Sequence, residues 1–421
     1  MKITAVIAEY NPFHSGHAYH IRTARELSGA DYVIVLMSPD FVQRGEPAFT
    51  DKYFRTEAAL MGGADLVLEL PVCFATGSAE YFAAGGVSLL SSLGCADYLS
   101  FGCEMPDPDL FQKAVSVTLS EEDSYREVLR QALKQGHTFP AARESAIRKS
   151  LPEVAFPPGF LSEPNNILAF EYMRALEKEK SPIRPLPIRR LGADYHQTDN
   201  VADFENAYPS AALLRRAFEQ NMPEKRLPSG PAADDLKKLE VLRLSGRWYD
   251  PRKYDALLFA SLLKLVSGAE DAAGDSLSRI QDMSPFLADR IRRYLFEYES
   301  AASFSFLLKT RNITLSQIRR ALLHVFLSMY RQDADRFREH TDQHYVRILG
   351  FRKEASALLH ALKKNSSVPL IAKPSSARRL LGPGGLSSFN KDVFASHLYP
   401  LLLHTTTEKR VNEFTRSPII L

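Results

Sequence analysis

Two histidines with a glycine between them stand near the start of the chain, at His14, Gly16 and His17. The apolar run at 3–8 precedes them and a segment with helical spacing at 18–27 follows, which predicts a strand, a turn and a helix start. A helix start offers free backbone N–H groups and a partial positive charge, and both attract anions. Imidazole N–H groups beside it could stabilise the charge that develops on a phosphate under attack. The pattern therefore predicts nucleotidyl transfer.

A metal site is the first alternative, because His14, His17 and His20 recur every three residues. No cysteine or paired carboxylate lies within this run to complete a zinc tetrahedron. A polar helix face is the second alternative. The position of the run, directly after the first predicted strand, favours phosphate binding, and we predict no metal-ligating residues in it.

The elements predicted to position these residues are those of an α/β protein. Runs that are apolar on both faces alternate with helical segments such as 51–61 and 79–93. Such a series forms a parallel sheet covered by helices, with ligands bound at the carboxyl ends of the strands. We therefore expect a Rossmann-like parallel sheet, whose later strands lie at 32–37, 66–70, 98–101 and 185–190.

The composition is that of a globular protein, with 421 residues of which 45% are hydrophobic and 24% are charged. This length predicts more than one domain. The three cysteines show no C-x-x-C spacing, which fits a reducing compartment. No apolar run reaches the roughly 18 residues of a membrane span. We therefore expect a cytoplasmic protein that makes no membrane contact.

Charge and linker composition predict two domains. Residues 1–110 contain 6 Lys or Arg against 14 Asp or Glu, whereas the remainder contains 47 against 36. The Pro-, Gly- and charge-rich stretch 222–231 predicts a boundary between a catalytic domain over 1–222 and a mostly helical domain over 232–421. A helical insertion is expected at about 107–160, and later helices and short strands at 254–266, 285–298, 314–330, 346–351, 353–364 and 368–371.

The basic later half predicts contacts with a polyanion such as RNA, and exposed helical charge is the alternative. The candidate residues are Arg290, Arg292, Arg293, Arg311, Arg319, Arg320, Arg347, Arg352, Lys353, Lys363, Lys364, Arg378 and Arg379. His340 and His344, four apart, could share a helix face and bind a metal, but no third ligand is evident.

Several motifs together resemble one family. They are Glu9-Tyr10-Asn11-Pro12-Phe13-His14, Gln43-Arg44-Gly45-Glu46-Pro47, Pro164-Asn165-Asn166-Ile167-Leu168 and Asp194-Tyr195-His196. With the His-x-Gly-His sequence they resemble the bacterial tRNA(Met) cytidine acetate ligase family, within the HxGH nucleotidyltransferase superfamily. The resemblance covers nearly the whole chain.

The resemblance implies an ATP-dependent ligase with a nucleotidyltransferase-like catalytic domain. Acetate would attack the α-phosphate of ATP to give acetyl-adenylate and pyrophosphate, with Mg²⁺ bridging the phosphates. The wobble cytidine of elongator tRNA(Met) would then take the acetyl group and become N4-acetylcytidine. The partners implied are therefore ATP, acetate, Mg²⁺ and tRNA.

The resemblance also implies which residues act. His14, His17 and Lys52 would be catalytic. The nucleotide contacts would be Ile7, Ala8, Glu9, Tyr10, Asn11, Pro12, Phe13, His14, Ser15, Gly16, His17, Ala18, Tyr19, His20, Gly102, Asn165 and Arg190.

Physical alternatives exist for several of these residues. Arg44 and Lys52 could form salt bridges at a helix start, with Glu46, Asp51 and Glu57 as partners. Gly102 could be a plain turn glycine. Asn165 could be a helix cap, although two adjacent amides exceed what a cap requires.

The segment 209–216 stands where the superfamily has a second phosphate motif, a Ser/Thr-rich helix start that ends in a basic residue. Ala212 occupies the position of an expected threonine, so we predict a weakened contact made by Ser210 and Arg215. Two other functions stay open. One is an adenylyltransferase of dinucleotide cofactor synthesis, and the other is a catalytically decayed RNA-binding protein, against which the intact His14, Gly16 and His17 argue.

Overall fold

The computed structural model of the chain describes residues 1–120, 122–191, 208–220, 231–267, 276–405 and 412–421. Its strands are β1 (Ile3–Ala8), β2 (Tyr32–Met37), β3 (Phe41–Val42), β4 (Glu46–Pro47), β5 (Leu66–Glu69), β6 (Tyr98–Cys103), β7 (Arg184–Arg189), β8 (Val346–Phe351), β9 (Leu370–Ile371) and β10 (Ile419–Ile420). Its first ten helices are α1 (Ser15–Ser28), α2 (Lys52–Met61), α3 (Val72–Ala75), α4 (Ala79–Ser92), α5 (Pro108–Ser120), α6 (Asp123–Lys134), α7 (Phe139–Ser150), α8 (Pro164–Lys178), α9 (Ala211–Glu219) and α10 (Pro231–Ser245). The later helices are α11 (Pro251–Val266), α12 (Pro285–Tyr294), α13 (Ala301–Leu308), α14 (Leu315–Phe326), α15 (Arg331–Glu339), α16 (Ser356–Asn365), α17 (Ala377–Leu380) and α18 (Pro383–Leu398).

A single mixed sheet lies at the centre, with the strand order β10-β8-β5-β2-β1-β6-β7 and β9 paired to β8. The strands β5, β2, β1, β6 and β7 are mutually parallel. This confirms the Rossmann-like sheet predicted from the apolar runs. Because these strands are parallel, the residues that follow β1, β6 and β7 meet at one edge of the sheet.

The alternation of side chains along β1 explains its place between two layers. Ile3, Ala5 and Ile7 pack into one hydrophobic cluster, whereas Val6 packs into another that includes Ile21 of α1. Successive residues of a strand point to opposite faces, so a strand such as β1, whose side chains are buried in both directions, must be covered on both sides. Burial on both faces anchors the end of β1, from which the loop to the two histidines departs.

Strands from the predicted helical half belong to this same sheet. β8 pairs antiparallel with β5, and β9 and β10 each pair parallel with β8. The main hydrophobic cluster also contains residues from both halves of the chain. The predicted boundary at 222–231 therefore does not divide two hydrophobic cores, because hydrophobic periodicity identifies a strand without telling which sheet it joins.

The predicted helical insertion at 107–160 contains the three helices α5, α6 and α7. The aromatic rings of Phe111 and Phe160 pack with their centroids 4.8 Å apart and tie α5 to the loop before α8. The helix predicted over 314–330 is shorter, since α14 ends at Phe326. Ser328 there has a positive φ of 51°, which a continuing helix does not allow.

His340 and His344 do not share a helix face, which corrects the prediction made from their spacing. α15 ends at Glu339, and a 3₁₀ turn at Thr341–Gln343 separates the two rings. His344 is buried and donates from Nε2 to the carbonyl oxygen of Phe337 at 2.9 Å. Among the described residues, no three His, Cys, Asp or Glu side chains are grouped as a metal site.

No helix in the described part of the chain is both long and apolar enough to cross a bilayer.

Candidate functional site

The start of α1 is built by His14 and His17 acting as reciprocal caps. His14 is the N-cap residue, and its Nδ1 accepts the Gly16 N–H at 3.1 Å. The backbone N–H of His14 in turn donates to Nδ1 of His17 at 3.2 Å. A neutral imidazole that accepts at Nδ1 carries its proton on Nε2. Both rings therefore present an Nε2–H donor, and they stack with their centroids 3.7 Å apart.

The imidazoles of this site are held neutral at pH 7. Burial and the nearby positive charges of Arg190 and Lys238 lower the pKa of His14 to about 3. Burial, reinforced by His14, Arg190 and His20, also lowers the pKa of His17 well below its usual value. Burial and Arg190 lower the pKa of His20 to about 4, and its Nε2 lies 3.0 Å from Ser100 Oγ. The site thus offers neutral hydrogen-bond donors, with the positive charge supplied by Arg190.

Gly16 allows the His14 ring to fold over the helix start. A Cβ added at Gly16 would lie 2.9 Å from Cε1 of His14 and 3.2 Å from Cβ of Tyr208. Any side chain at this position would therefore displace the ring from its cap.

The turn between β1 and α1 is fixed by contacts with the rest of the protein. Glu9 accepts the backbone N–H of Gln43 at 2.7 Å, and Asn11 accepts that of Phe49 through Oδ1 at 2.6 Å. The rings of Tyr10 and His17 pack with their centroids 4.7 Å apart. Residues 9–13 therefore support the two histidines.

A second set of predicted residues meets at the ends of β6 and β7. Arg190 donates from Nη1 to Asn165 Oδ1 at 3.0 Å, and Asn165 donates from Nδ2 to Glu104 Oε1 at 2.5 Å. Gly102 lies beneath the Arg190 side chain, since an added Cβ would be 3.3 Å from its Cγ. His20 Nε2 of α1 lies 3.0 Å from Ser100 Oγ of β6, two residues before Gly102, which places this set beside α1.

Asn165 is not a helix cap, which rules out that alternative. α8 begins at Pro164, and its N-cap Glu163 makes no side-chain hydrogen bond to the helix start. The carboxylate of Glu104 instead accepts the backbone N–H of Asn166 at 3.1 Å. The buried Asn166 carboxamide braces the loop by accepting the N–H groups of Glu104 and Met105. Of the two amides, only Asn165 contacts Arg190 in the structure.

Lys52 lies in a buried ion cluster. Its Nζ is 2.6 Å from carboxylate oxygens of Glu69 and Glu413 and 2.6 Å from Ser396 Oγ. Arg347 contacts the same two carboxylates, at 3.1 and 2.7 Å. With the Lys52 side chain only 1% exposed, its location supports the salt-bridge alternative, although with partners other than those proposed. Its catalytic role stays a prediction.

The loop that carries Arg44 forms a small hairpin of β3 and β4. Gly45 has a φ of 79° and lies against the backbone of Arg319 and Arg320 in the middle of α14, where an added Cβ would be within 2.5 Å of main-chain atoms. Burial raises the pKa of the Glu9 carboxyl group, and the positive charge of Arg44 partly opposes this shift. This hairpin joins the first loop of the site to the later helices.

The proposed second phosphate motif contacts the same turn. Ser210 caps α9 by accepting the N–H of Leu213 at 3.2 Å. Arg215 donates from Nη1 to the carbonyl oxygen of Asn11 at 2.5 Å and lies 3.5 Å from Glu46. These contacts place α9 beside the loop before His14, and phosphate binding by Ser210 and Arg215 stays a prediction.

Two carboxylates of the site were not found by sequence reasoning. Asp235 of α10 accepts the Ser15 N–H at 3.0 Å and its hydroxyl at 2.6 Å, directly on the N-terminus of α1. No local motif marks Asp235. Glu104 could have been suspected, because it follows Gly102 by two residues at the end of a parallel strand.

Several of the predicted RNA-binding cations have internal partners. Arg290 donates to the carbonyl oxygens of Leu307 and Leu308 at the end of α13. Arg320 pairs with Asp282 at 2.9 Å, and Arg352 donates to the carbonyl oxygen of Leu60. The cations whose side chains are exposed include Arg293, Arg311, Lys353, Lys363, Lys364, Arg378 and Arg379. The motif Asp194-Tyr195-His196 lies outside the described residues.

Comparisons with known proteins agree over the whole chain. A family model described as HIGH Nucleotidyl Transferase matches residues 1–414. A protein of Thermoanaerobacter sp. (strain X514) named tRNA(Met) cytidine acetate ligase is 36% identical over 405 residues, covering 95% of each chain. Proteins of the same name from Acetivibrio thermocellus and Bacillus subtilis (strain 168) are each 33% identical and span 100% of this chain, with 100% and 97% of their own lengths.

Two solved structures are similar to this fold. The crystal structure of Thermotoga maritima TmcAL bound with alpha-thio ATP has a TM-score of 0.86 at 30% identity, covering 100% of this chain and 99% of that chain. The apo form of the same protein has a TM-score of 0.88 at 30% identity, with full coverage of both chains.

Proposed function

We infer the function from the family to which the chain belongs, the tRNA(Met) cytidine acetate ligases of the HIGH nucleotidyl transferase family. The protein is an ATP-dependent ligase that activates acetate as acetyl-adenylate and acetylates the wobble cytidine of elongator tRNA(Met) to N4-acetylcytidine. ATP binding is supported by the similarity to the protein bound with alpha-thio ATP. A cytoplasmic location is part of this proposal, since its tRNA substrate is there.

The observation that carries the proposal is the pair of neutral Nε2–H donors at the start of α1. In the first step an acetate oxygen forms a bond to the α-phosphorus, and the bond from that phosphorus to the bridging oxygen of pyrophosphate breaks. Negative charge develops on the phosphate oxygens during this displacement. Donors already oriented by the backbone stabilise that charge without having to reorganise.

Arg190 supplies the positive charge that the neutral histidines lack. Its guanidinium is exposed and is hydrogen-bonded to Asn165, so it can contact a nucleotide while keeping a defined position. We assign Gly102 to the close approach of the nucleotide, because a larger residue there would push the Arg190 side chain outward. Arg190, Asn165 and Gly102 then form the nucleotide-binding wall opposite the histidines.

In the second step the exocyclic amine of the cytidine attacks the acetyl carbonyl carbon and AMP leaves. An amine attacking an acyl-adenylate requires little beyond correct orientation. Mg²⁺ is also part of the proposal, since Mg²⁺ is often held by one or two carboxylates and substrate phosphates rather than by a protein cage.

The test is isotope exchange between pyrophosphate and ATP with purified protein and without tRNA. We expect exchange that depends on acetate, followed by N4-acetylcytidine in tRNA(Met) when the tRNA is added. Exchange that requires a nucleoside or nucleotide monophosphate instead of acetate would favour cofactor synthesis. Binding of tRNA without any exchange would favour a decayed enzyme.

A further inference from the structure

We propose that Glu104 is a positioning residue of the ATP site, which holds the Asn165 carboxamide so that its oxygen faces Arg190. The proposal rests on the proposed function, because it assigns a task to a residue behind the nucleotide-binding wall. Glu104 directly follows β6, at the edge of the sheet where the site lies.

The Glu104 carboxylate accepts two hydrogen bonds, one at each oxygen. One oxygen accepts Nδ2 of Asn165 at 2.5 Å, and the other accepts the backbone N–H of Asn166 at 3.1 Å. The loop after β6 is fixed by Asn166 as well, because the Asn166 carboxamide oxygen accepts the N–H groups of Glu104 and Met105 at 3.1 and 3.2 Å. The carboxylate is therefore locked to the first turn of α8 and cannot follow Asn165 if that side chain turns.

The two different ends of an amide explain how Glu104 determines the orientation of the Asn165 carboxamide. A carboxamide has an oxygen that accepts and a nitrogen that only donates, and the two ends have nearly the same size. Because a carboxylate only accepts, Glu104 binds the nitrogen end of Asn165. The oxygen end must then point to Arg190, whose guanidinium only donates. If Asn165 turned over, two donors would face each other and two acceptors would face each other.

The orientation of Asn165 affects nucleotide binding through Arg190. This arginine is exposed, and a long exposed side chain loses substantial rotational freedom when it binds a ligand. Its hydrogen bond to the Asn165 carboxamide oxygen and its packing over Gly102 restrict the Arg190 side chain before ATP binds. Glu104 thus restricts the Arg190 side chain, through Asn165, to a position in which it can bind ATP, and Glu104 does not contact the substrate itself.

The test is a double-mutant cycle on the KM for ATP in the acetate-dependent exchange reaction. Glu104→Ala and Asn165→Ala are each expected to raise this KM by about tenfold, as for loss of one charge-assisted hydrogen bond. The double variant should show no larger increase than Asn165→Ala alone, because Glu104 acts through Asn165. A purely structural carboxylate would lower the melting temperature and leave KM unchanged, or give effects that add.

Two further variants sharpen the experiment. Glu104→Gln replaces one of the two carboxylate oxygens by an NH2 group, which cannot accept a hydrogen bond, so in the observed geometry one of the bonds from Asn165 and the Asn166 N–H is lost and its KM should lie between those of wild type and Glu104→Ala. Asp107→Ala removes an exposed carboxylate three residues away, which caps α5 through Leu110, and should leave KM unchanged.

The outcomes separate this proposal from the assigned function. If the wild-type protein shows no acetate-dependent exchange, the function itself is wrong. If the wild type is active and the two effects are additive, or Glu104→Ala matches Asp107→Ala, only the role of Glu104 is wrong. Should Glu104→Ala not fold, the cycle is run with Glu104→Gln, whose increase in KM must disappear in the Asn165→Ala background. An unchanged KM in that variant overturns the proposal.

Discussion

Asp235 Oδ2 lies 2.6 Å from Ser15 Oγ, so a carboxylate from the later half of the chain occupies the N-terminus of the helix that follows His14. Asp235 is 2% exposed, and burial, only partly offset by its hydrogen bonds to Ser15, raises the pKa of its carboxyl group. A phosphate placed on this helix start would meet the same donors.

We therefore expect Asp235→Ala to strengthen ATP binding. The variant removes a competing anion from the helix start and should lower the KM for ATP by about threefold to tenfold, or ~1 kcal/mol. The exchange assay at varied ATP measures this. The neighbouring Asp234, whose side chain is 71% exposed, is the matched control, and Asp234→Ala should match wild type. A raised KM in Asp235→Ala would show that the carboxylate helps to hold ATP.

His17→Ala should slow the exchange reaction without unfolding the protein. The variant removes one of two preorganised Nε2–H donors, and such a loss lowers kcat by roughly 10²–10³-fold. The exposed His360 provides a control, since His360→Ala removes an imidazole far along the chain, on α16. An increase in KM with no change in kcat would limit His17 to binding the ground state.

Lys52→Met should reduce the free energy of unfolding by about 3–5 kcal/mol, as measured by urea denaturation. The substitution leaves Glu69 and Glu413 buried with only Arg347 to compensate them. Burial alone would raise the pKa of Glu413, but Lys52 and Arg347 hold it well below its usual value. Lys363→Met, at an exposed lysine, should be neutral. Unchanged stability together with lost exchange activity would instead support the catalytic role predicted for Lys52.

The protein should lose stability as the pH falls from about 6.5 towards 4, in part because of His324. This ring is completely buried, and burial lowers its pKa to about 4 despite the opposing effect of Asp282. Below pH 6.5 the unfolded chain binds a proton at His324 and the folded protein does not, so folding becomes less favourable by up to about 3 kcal/mol. His324→Gln should flatten this dependence, measured by denaturation at several pH values. An identical slope in the variant would exclude this origin.

Replacing Lys363 and Lys364 by alanine should weaken tRNA binding and reduce its salt dependence. Both side chains are exposed on α16, and if both contact phosphates the slope of log affinity against log salt should fall by about 1.4 to 1.8. Acetate-dependent exchange without tRNA should be unchanged. Arg290→Ala is the contrasting variant, because its guanidinium binds the carbonyl oxygens at the end of α13 and its loss should affect stability. An unaltered slope of log affinity against log salt in the lysine variant would show that the tRNA-binding surface does not include Lys363 and Lys364.

What the sequence by itself determined is the local part of the site. An apolar run predicts the strand β1, the sequence Asn11-Pro12 predicts the turn, and helical spacing of apolar residues predicts the helix α1. Each of these three signals lies within a few neighbouring residues. His14 and His17 meet because residues three apart at a helix start are neighbours in space. The parallel strands β2, β5 and β6 could be predicted in the same way, because their sequences are mostly apolar.

Tertiary structure decided every contact between distant segments. Glu104, Asn165 and Arg190 come together because β6 and β7 are adjacent and parallel, and the pairing of strands depends on the energy of the whole sheet. The same holds for β8, which sequence reasoning assigned to a separate half although it pairs with β5. Charge pattern likewise could not tell that Lys52 and Arg347 would share two buried carboxylates, since a charged residue is buried only where its partners are supplied by other parts of the fold.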